Sequence, residues 1–136
     1  IEVTIMTGRP YSSFLKHRKK ERPFNIIKIG LSIERDELYK SINKRVDKMI
    51  ENGLLDEARK YYKDRNLNSL NTVGYKELFS HLYGKTTLEK AIELIKRNTR
   101  NYAREQLTWF RKDRDIKWFN PGEKNKIIDF IRLNIN

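Results

Sequence analysis

The residues best placed to do chemistry lie in the stretch "KRNTRNYAREQLTWFR", positions 96 to 111. Wound as an α-helix, it puts Arg97, Arg100, Arg104, Thr108 and Arg111 on one narrow arc. A guanidinium grips a phosphate through parallel N–H donors, so this arc suits a nucleic-acid backbone. Ordinary solvated faces mix signs, because i,i+4 Glu–Lys pairs stabilise and like charges repel. Here the arc is almost purely basic, and Glu105 sits off its centre. A solvated basic face remains the alternative. Aligned like charges are costly without a counter-anion, which favours the phosphate reading. Ile95, Thr99, Tyr102, Gln106, Trp109 and Phe110 gather on the opposite side. That placement expects Tyr102, Trp109 and Phe110 in the core rather than as base-stacking platforms. Gln106, in the middle of this side, has two readings. Its amide is either buried and bonded to backbone, or lines a cavity where it reads a base edge.

Other residues carry weaker signals. Arg45 in "INKRVDKMI" flanks an apolar stripe, either as a surface or snorkelling side chain or as an anion ligand at a cleft edge. In "NTVGYKEL", Gly74 either starts a helix or lets a ligand approach the backbone. The "GKT" at 84–86 is not a phosphate loop: the pattern needs glycine at position 79, which is Phe79, and a preceding strand. His17 and His81 have no ligand spacing around them, so no metal site is expected. The pairs Asp36–Glu37 and Asp56–Glu57 sit near helix starts, where carboxylates favour the macrodipole.

The bulk composition agrees with a polyanionic partner. The 136 residues include 30 Lys and Arg against 18 Asp and Glu, a net charge of +12. Nucleic acid leads over membrane, because no apolar run approaches the roughly 20 residues of a span. No signal peptide is visible. Hydrophobic content of 38% and charged content of 35% fit one foldable domain. The absence of cysteine excludes disulfides and zinc–thiolate sites, and fits a reducing cytoplasm.

Several elements must position these residues. "IEVTIMTG" reads as the last turns of a helix ending at Gly8, so a piece of a longer protein is expected. Residues 9–23 hold two prolines and a basic run, and read as a linker. "FNIIKIGL" (24–31) reads as a buried strand. Ser32 is the expected cap of a helix over 34–51, whose Leu38, Ile42, Val46 and Met49 form one stripe. Helices follow at about 54–63 and 73–84, the latter closed by Gly84. Thr86 and Glu89 make a capping-box pattern before a long helix at 87–111. "DIKWFN" (115–120) reads as a second strand, and a last helix buries Ile127, Ile128, Phe130 and Ile131. The expected class is mainly α with two short strands. Two strands make a thin sheet, which again suggests a missing part.

"VGYKEL", "KRNTRNYAREQLTWFR" with its following Trp118, and "INKRVDKMIENGLLDE" closely resemble the C-terminal part of the bacterial tRNA dimethylallyltransferase (tRNA isopentenyltransferase) family. "EVTIMTGRPYS" resembles the segment just before them, so the likeness covers nearly the whole chain. The resemblance implies transfer of a dimethylallyl group from dimethylallyl diphosphate to N6 of the adenosine 3′ of the tRNA anticodon. It implies a P-loop-kinase-like α/β fold whose N-terminal half, with the phosphate loop and catalytic carboxylate, is absent here. Residues 1–23 would end the insertion-domain helix and add a basic linker, and 24–136 would complete the catalytic core. Mg2+ is implied, with ligands mostly outside these residues. Arg45 matches a diphosphate-binding arginine. Asn71, Thr72, Val73, Gly74, Tyr75 and Lys76 match one segment contacting the anticodon stem-loop, and Arg104 to Arg111 match another. Gln106 matches the residue near the flipped base. Glu105 stands where relatives carry a basic residue, and Ser41 replaces a frequent arginine, so those two contacts depart from the pattern. The competing expectation is a free-standing basic helical nucleic-acid-binding module without catalysis.

Overall fold

A computed structural model describes residues 2–14 and 23–135. The basic run and His17 within 15–22 lie outside the described residues. The order of elements is α1 (Glu2–Thr7), β1 (Lys28–Leu31), α2 (Arg35–Glu51), α3 (Leu54–Tyr61), α4 (Tyr75–Leu82), α5 (Leu88–Phe110), β2 (Ile116–Phe119) and α6 (Lys124–Asn134). This is the mainly helical class with two short strands that the patterning dictates. The strand expected over 24–31 is shorter, because only Lys28–Leu31 find a ladder partner.

The expected apolar stripe of α2 faces the core: Ile42 and Val46 are buried, and Leu38 and Met49 are half-buried. The chain then reverses at Gly53, whose φ of 94° is a left-handed conformation that side chains other than glycine disfavour. The core joins Val46 of α2, Leu54 and Ala58 of α3, Leu78 and Phe79 of α4, and Ala91 and Ile95 of α5. Each of these helices buries one narrow stripe, and the four stripes meet in one apolar cluster. Gly84 closes α4 at φ 83°, with its N–H on the His81 carbonyl at 2.8 Å.

Two caps differ from expectation. α2 starts from Glu34, without a side-chain cap, rather than from Ser32, whose N–H continues the strand ladder to the Phe119 carbonyl. α5 is capped by Thr87, not Thr86. The Thr87 hydroxyl accepts the Lys90 N–H, while the Thr86 carbonyl is taken by the His81 ring at 3.0 Å. Thr87 has the extended backbone that an N-cap requires, and because the third helical residue is then Lys90, which offers no acceptor, the expected capping box is replaced by this single cap bond.

β1 and β2 pair in parallel, with Gly30 opposite Trp118. A Cβ on Gly30 would meet the Trp118 ring at 2.6 Å and Ile116 at 2.8 Å, so the indole closes on the backbone of β1. Lys28 bonds Asp113 at 2.7 Å and reaches Asp115 at 3.5 Å, which fastens β1 to the turn before β2. The hydrogen bond to Asp113 raises the Lys28 pKa, and the same bond lowers that of Asp113. On α6 the half-buried residues are the expected ones, and Phe130 meets Phe119 at 5.5 Å between ring centres.

Candidate nucleic-acid interface

Helix α5 has two environments. Its first half buries Ala91 and Ile95 against α4. α4 begins beside Asn98, because Glu77 on its first turn bonds that residue. Beyond Asn98 the covering elements change. The half-buried residues become Thr99, Arg100, Asn101, Ala103 and Leu107, and their mean direction lies roughly 130° from that of Ala91 and Ile95 at 100° per residue. Tyr102, Trp109 and Phe110 are therefore not core, contrary to their expected placement. They are 58%, 67% and 43% exposed. One straight helical wheel assumes one inward direction along the whole helix, whereas α5 has a buried stripe in its first half and only a half-buried side, turned away from it, in its second. Trp109 and Phe110 touch edge to face at 4.9 Å, which leaves paired aromatic surface in the open.

The arginine arc divides in the same way. Arg100 turns inward: its Nη1 donates to the Asn43 Oδ1 at 2.6 Å, and its guanidinium lies 5.9 Å from the Tyr39 ring centre. Arg35 donates to the Tyr39 hydroxyl at 3.1 Å and stacks on that ring at 5.1 Å. One turn earlier, Lys96 bonds Asp47 at 2.8 Å, which raises its pKa, and ties α5 to α2. Arg104, Thr108 and Arg111 remain exposed and line a cleft of about 390 Å³ with Arg35 and Tyr39. Thr108 donates its hydroxyl to the Arg104 carbonyl at 2.9 Å, so the side chain is held along the helix. Arg97 is exposed on the same helix, and none of Arg97, Arg104 and Arg111 has an ion pair among the described residues. Free guanidiniums on one edge form a ready contact for phosphates.

A larger cleft of about 1470 Å³ opens between the sheet and the second half of α5. Ile27, Ile29 and Leu31 line it from the sheet side with Trp118, and Ala103, Leu107 and Phe110 line it from α5. Gln106 sits on its wall and is exposed, with no hydrogen bond among the described residues. Of its two readings, the buried amide bonded to backbone is absent and the cavity-lining amide is what the fold contains.

Residues 71–76 form the entry to α4. Asn71, Thr72, Val73 and Lys76 are exposed, whereas Gly74 is buried at φ 108°. The Gly74 N–H donates to Glu77 Oε2 at 2.8 Å, and Asn98 Nδ2 donates to Glu77 Oε1 at 2.7 Å. Glu77, only 6% exposed, thus braces this segment against the middle of α5. The Tyr75 hydroxyl donates to Glu57 of α3, and that bond pushes the phenol up to about 12. The structure therefore brings 71–76 beside the arginine-bearing helix.

It does not bring Arg45 there. Arg45 is exposed and lies roughly 160° around α2 from Asn43, the residue that faces Arg100. Ser41 and Glu105 are exposed and line neither cleft. Sequence reasoning missed Arg35, Tyr39, Glu77 and Asn98. The i,i+4 spacing of Arg35 and Tyr39 was a visible signal; the pairing of Glu77 with Asn98 is tertiary and had none. Mg2+, expected from the resemblance, finds no cage among the described residues. No three His, Cys, Asp or Glu converge there, and Asp113 and Asp115 are engaged by Lys28. No described helix is long and apolar enough to cross a membrane.

Comparison with known proteins adds a consistent set of likenesses. The family model described as IPP transferase matches residues 1–113. The chain is 58% identical to a tRNA dimethylallyltransferase of Christiangramia forsetii, over 100% of this chain and 45% of that protein. It is 55% identical to tRNA dimethylallyltransferase 1 of Bacteroides thetaiotaomicron, over 98% of this chain and 43% of that one. Its fold resembles the crystal structure of a full-length tRNA isopentenylpyrophosphate transferase from Bacillus halodurans. The TM-score is 0.77 at 44% identity, over 85% of this chain and 41% of that one. The chain thus spans under half the length of the relatives it matches.

Proposed function

The chain belongs to the IPP transferase family, and from that premise we propose that it forms the tRNA-holding and channel-lining part of a tRNA dimethylallyltransferase. The reaction moves a dimethylallyl group from dimethylallyl diphosphate to N6 of the adenosine 3′ of the anticodon. The observation that supports this reading is the single face where a basic edge adjoins an apolar cleft. Arg104, Arg111 and Arg35 sit on one side of α5, and the cleft with Gln106 on its wall opens on the next.

Each part has a role in that chemistry. The allylic C–O bond breaks to release diphosphate, the N6 lone pair makes the new C–N bond and the nitrogen sheds one proton, so water must be kept from that carbon. Ile29, Leu107 and Phe110 give the cleft apolar walls that suit a five-carbon group. The amide of Gln106 offers both a donor and an acceptor to the edge of an extruded adenine. The exposed guanidiniums of Arg104 and Arg111, with residues 71–76, hold the anticodon stem-loop. Arg45 is assigned to the diphosphate, although it stands apart from this face. Mg2+ would neutralise the leaving diphosphate, held by groups other than those described.

The test is a stem-loop assay. The 136-residue chain is expected to bind an anticodon stem-loop in a salt-dependent way and to transfer no dimethylallyl group, since it carries no GxxxxGK[ST] motif. Prenylation by these residues alone, or no stem-loop binding at low salt, would overturn the assignment.

A further inference from the structure

A third groove, on the opposite side of α4 from α5, is lined by Tyr62, Arg65, Lys76, Phe79, Tyr83 and Lys85, with three asparagines at its rim. Its volume of about 500 Å³ lies within the usual range of ligand sites, roughly 300–1,000 Å³. Arg65, Lys76 and Lys85 supply three cations, and no acidic residue lines the groove. Arg65 lies 4.7 Å over the Tyr62 ring, and Lys85 lies 5.0 Å from that of Tyr83. Phe79 forms the buried floor, in edge-to-face contact with Tyr62 at 5.8 Å. Tyr83 is 65% exposed, so a ring face is open to a ligand. The amides of Asn66, Asn68 and Asn71 are exposed and make no side-chain hydrogen bond among the described residues.

We propose that this groove binds an unpaired nucleotide of a single-stranded RNA segment. The base stacks on Tyr83, the asparagine amides meet its edge or the ribose, and Arg65, Lys76 and Lys85 take the flanking phosphates. Aromatic faces interleaved with cations are what single-strand sites use, because every base has a π-face and every link a charge. A purely electrostatic surface needs no rings, and an apolar peptide groove would not be ringed by three cations. Position strengthens the assignment to RNA. Asn71 and Lys76 belong to both this groove and the segment 71–76, so a strand leaving the α5 face reaches the groove by continuing along α4. The proposal rests on that face being an RNA-binding one.

The experiment measures binding of a fluorescein-labelled adenosine hexanucleotide to this protein across salt concentrations. The double variant Arg65→Gln, Lys85→Gln is expected to weaken binding about tenfold and to reduce the salt slope by about 1.4, two lost phosphate contacts on a single strand. Tyr83→Ala, at an exposed position that the fold does not need, is expected to weaken binding about tenfold with the slope unchanged. Unchanged affinity and slope in both variants would overturn the proposal. AMP competing at the hexanucleotide's own concentration would overturn the RNA assignment in favour of a free nucleotide. The α5 reading fails separately: Arg104→Gln with Arg111→Gln leaving stem-loop affinity intact would strike that reading while the hexanucleotide result stands.

Discussion

Removing the carboxylate of Glu77 should loosen the whole candidate interface, and the size of the effect follows from its partners. Glu77 accepts from the Gly74 N–H at 2.8 Å and from Asn98 Nδ2 at 2.7 Å, at a buried position. Hydrogen bonds to a charged group contribute about 1.5–3 kcal/mol each, and a donor left unpaired in a buried site costs about 1–3 kcal/mol. Glu77→Ala is therefore expected to destabilise by about 3–5 kcal/mol. Asn98→Ala removes one of the two bonds and should cost about 1.5–3 kcal/mol. The residues share that bond, so the double variant should be less destabilised than the sum of the singles by about 1.5–2 kcal/mol. Glu77→Gln separates geometry from burial. Both partners are donors, and a carboxamide presents one acceptor oxygen to two of them. It should therefore cost about half as much as Glu77→Ala, although it fills the same space. Urea unfolding followed by circular dichroism at 222 nm measures all four variants. A neutral Glu77→Gln, or a coupling energy below about 0.5 kcal/mol, would refute the reasoning.

Other consequences are as direct. Gly30→Ala places a methyl group 2.6 Å from the Trp118 ring, so it should cost about 1–3 kcal/mol and shift the tryptophan emission; an unchanged spectrum and stability would show that the ring does not close on β1. Arg104→Ala should weaken stem-loop binding uniformly and lower its salt slope by about 1, with stability unchanged. Arg100→Ala should instead lower stability in urea, because its guanidinium is bonded to Asn43. The Tyr75 phenol should ionise near 12 by absorbance at 295 nm, and fall toward 10 in Glu57→Gln. Its pKa is higher folded than unfolded, so the protonated form stabilises the fold fully below pH 10, and that contribution declines between about 10 and 12.

What the sequence by itself determined is local. Periodicity located the helices from α2 to α6 to within a few residues, because one apolar stripe every 3.6 residues has few other solutions. It also located both strands and the core side of α2 and α6. The motif "TRNYAREQLTWFR" identified the family from residue types alone. What the tertiary structure decided is everything that depends on a neighbour. A helical wheel treats α5 as having one inner face, yet α4 covers only its first half, so Tyr102 and Trp109 point outward where the wheel buries them. The same change of neighbour turned Arg100 from an expected phosphate ligand into a partner of Asn43, and left Arg104 and Arg111 free. The parallel pairing of β1 with β2 set Gly30 under Trp118, a requirement that four residues of strand do not announce. Caps moved by one or two residues because a carbonyl or an N–H already had a partner elsewhere. Residue type and spacing fix which way a segment winds; which of its faces is inside is fixed only by what packs against it.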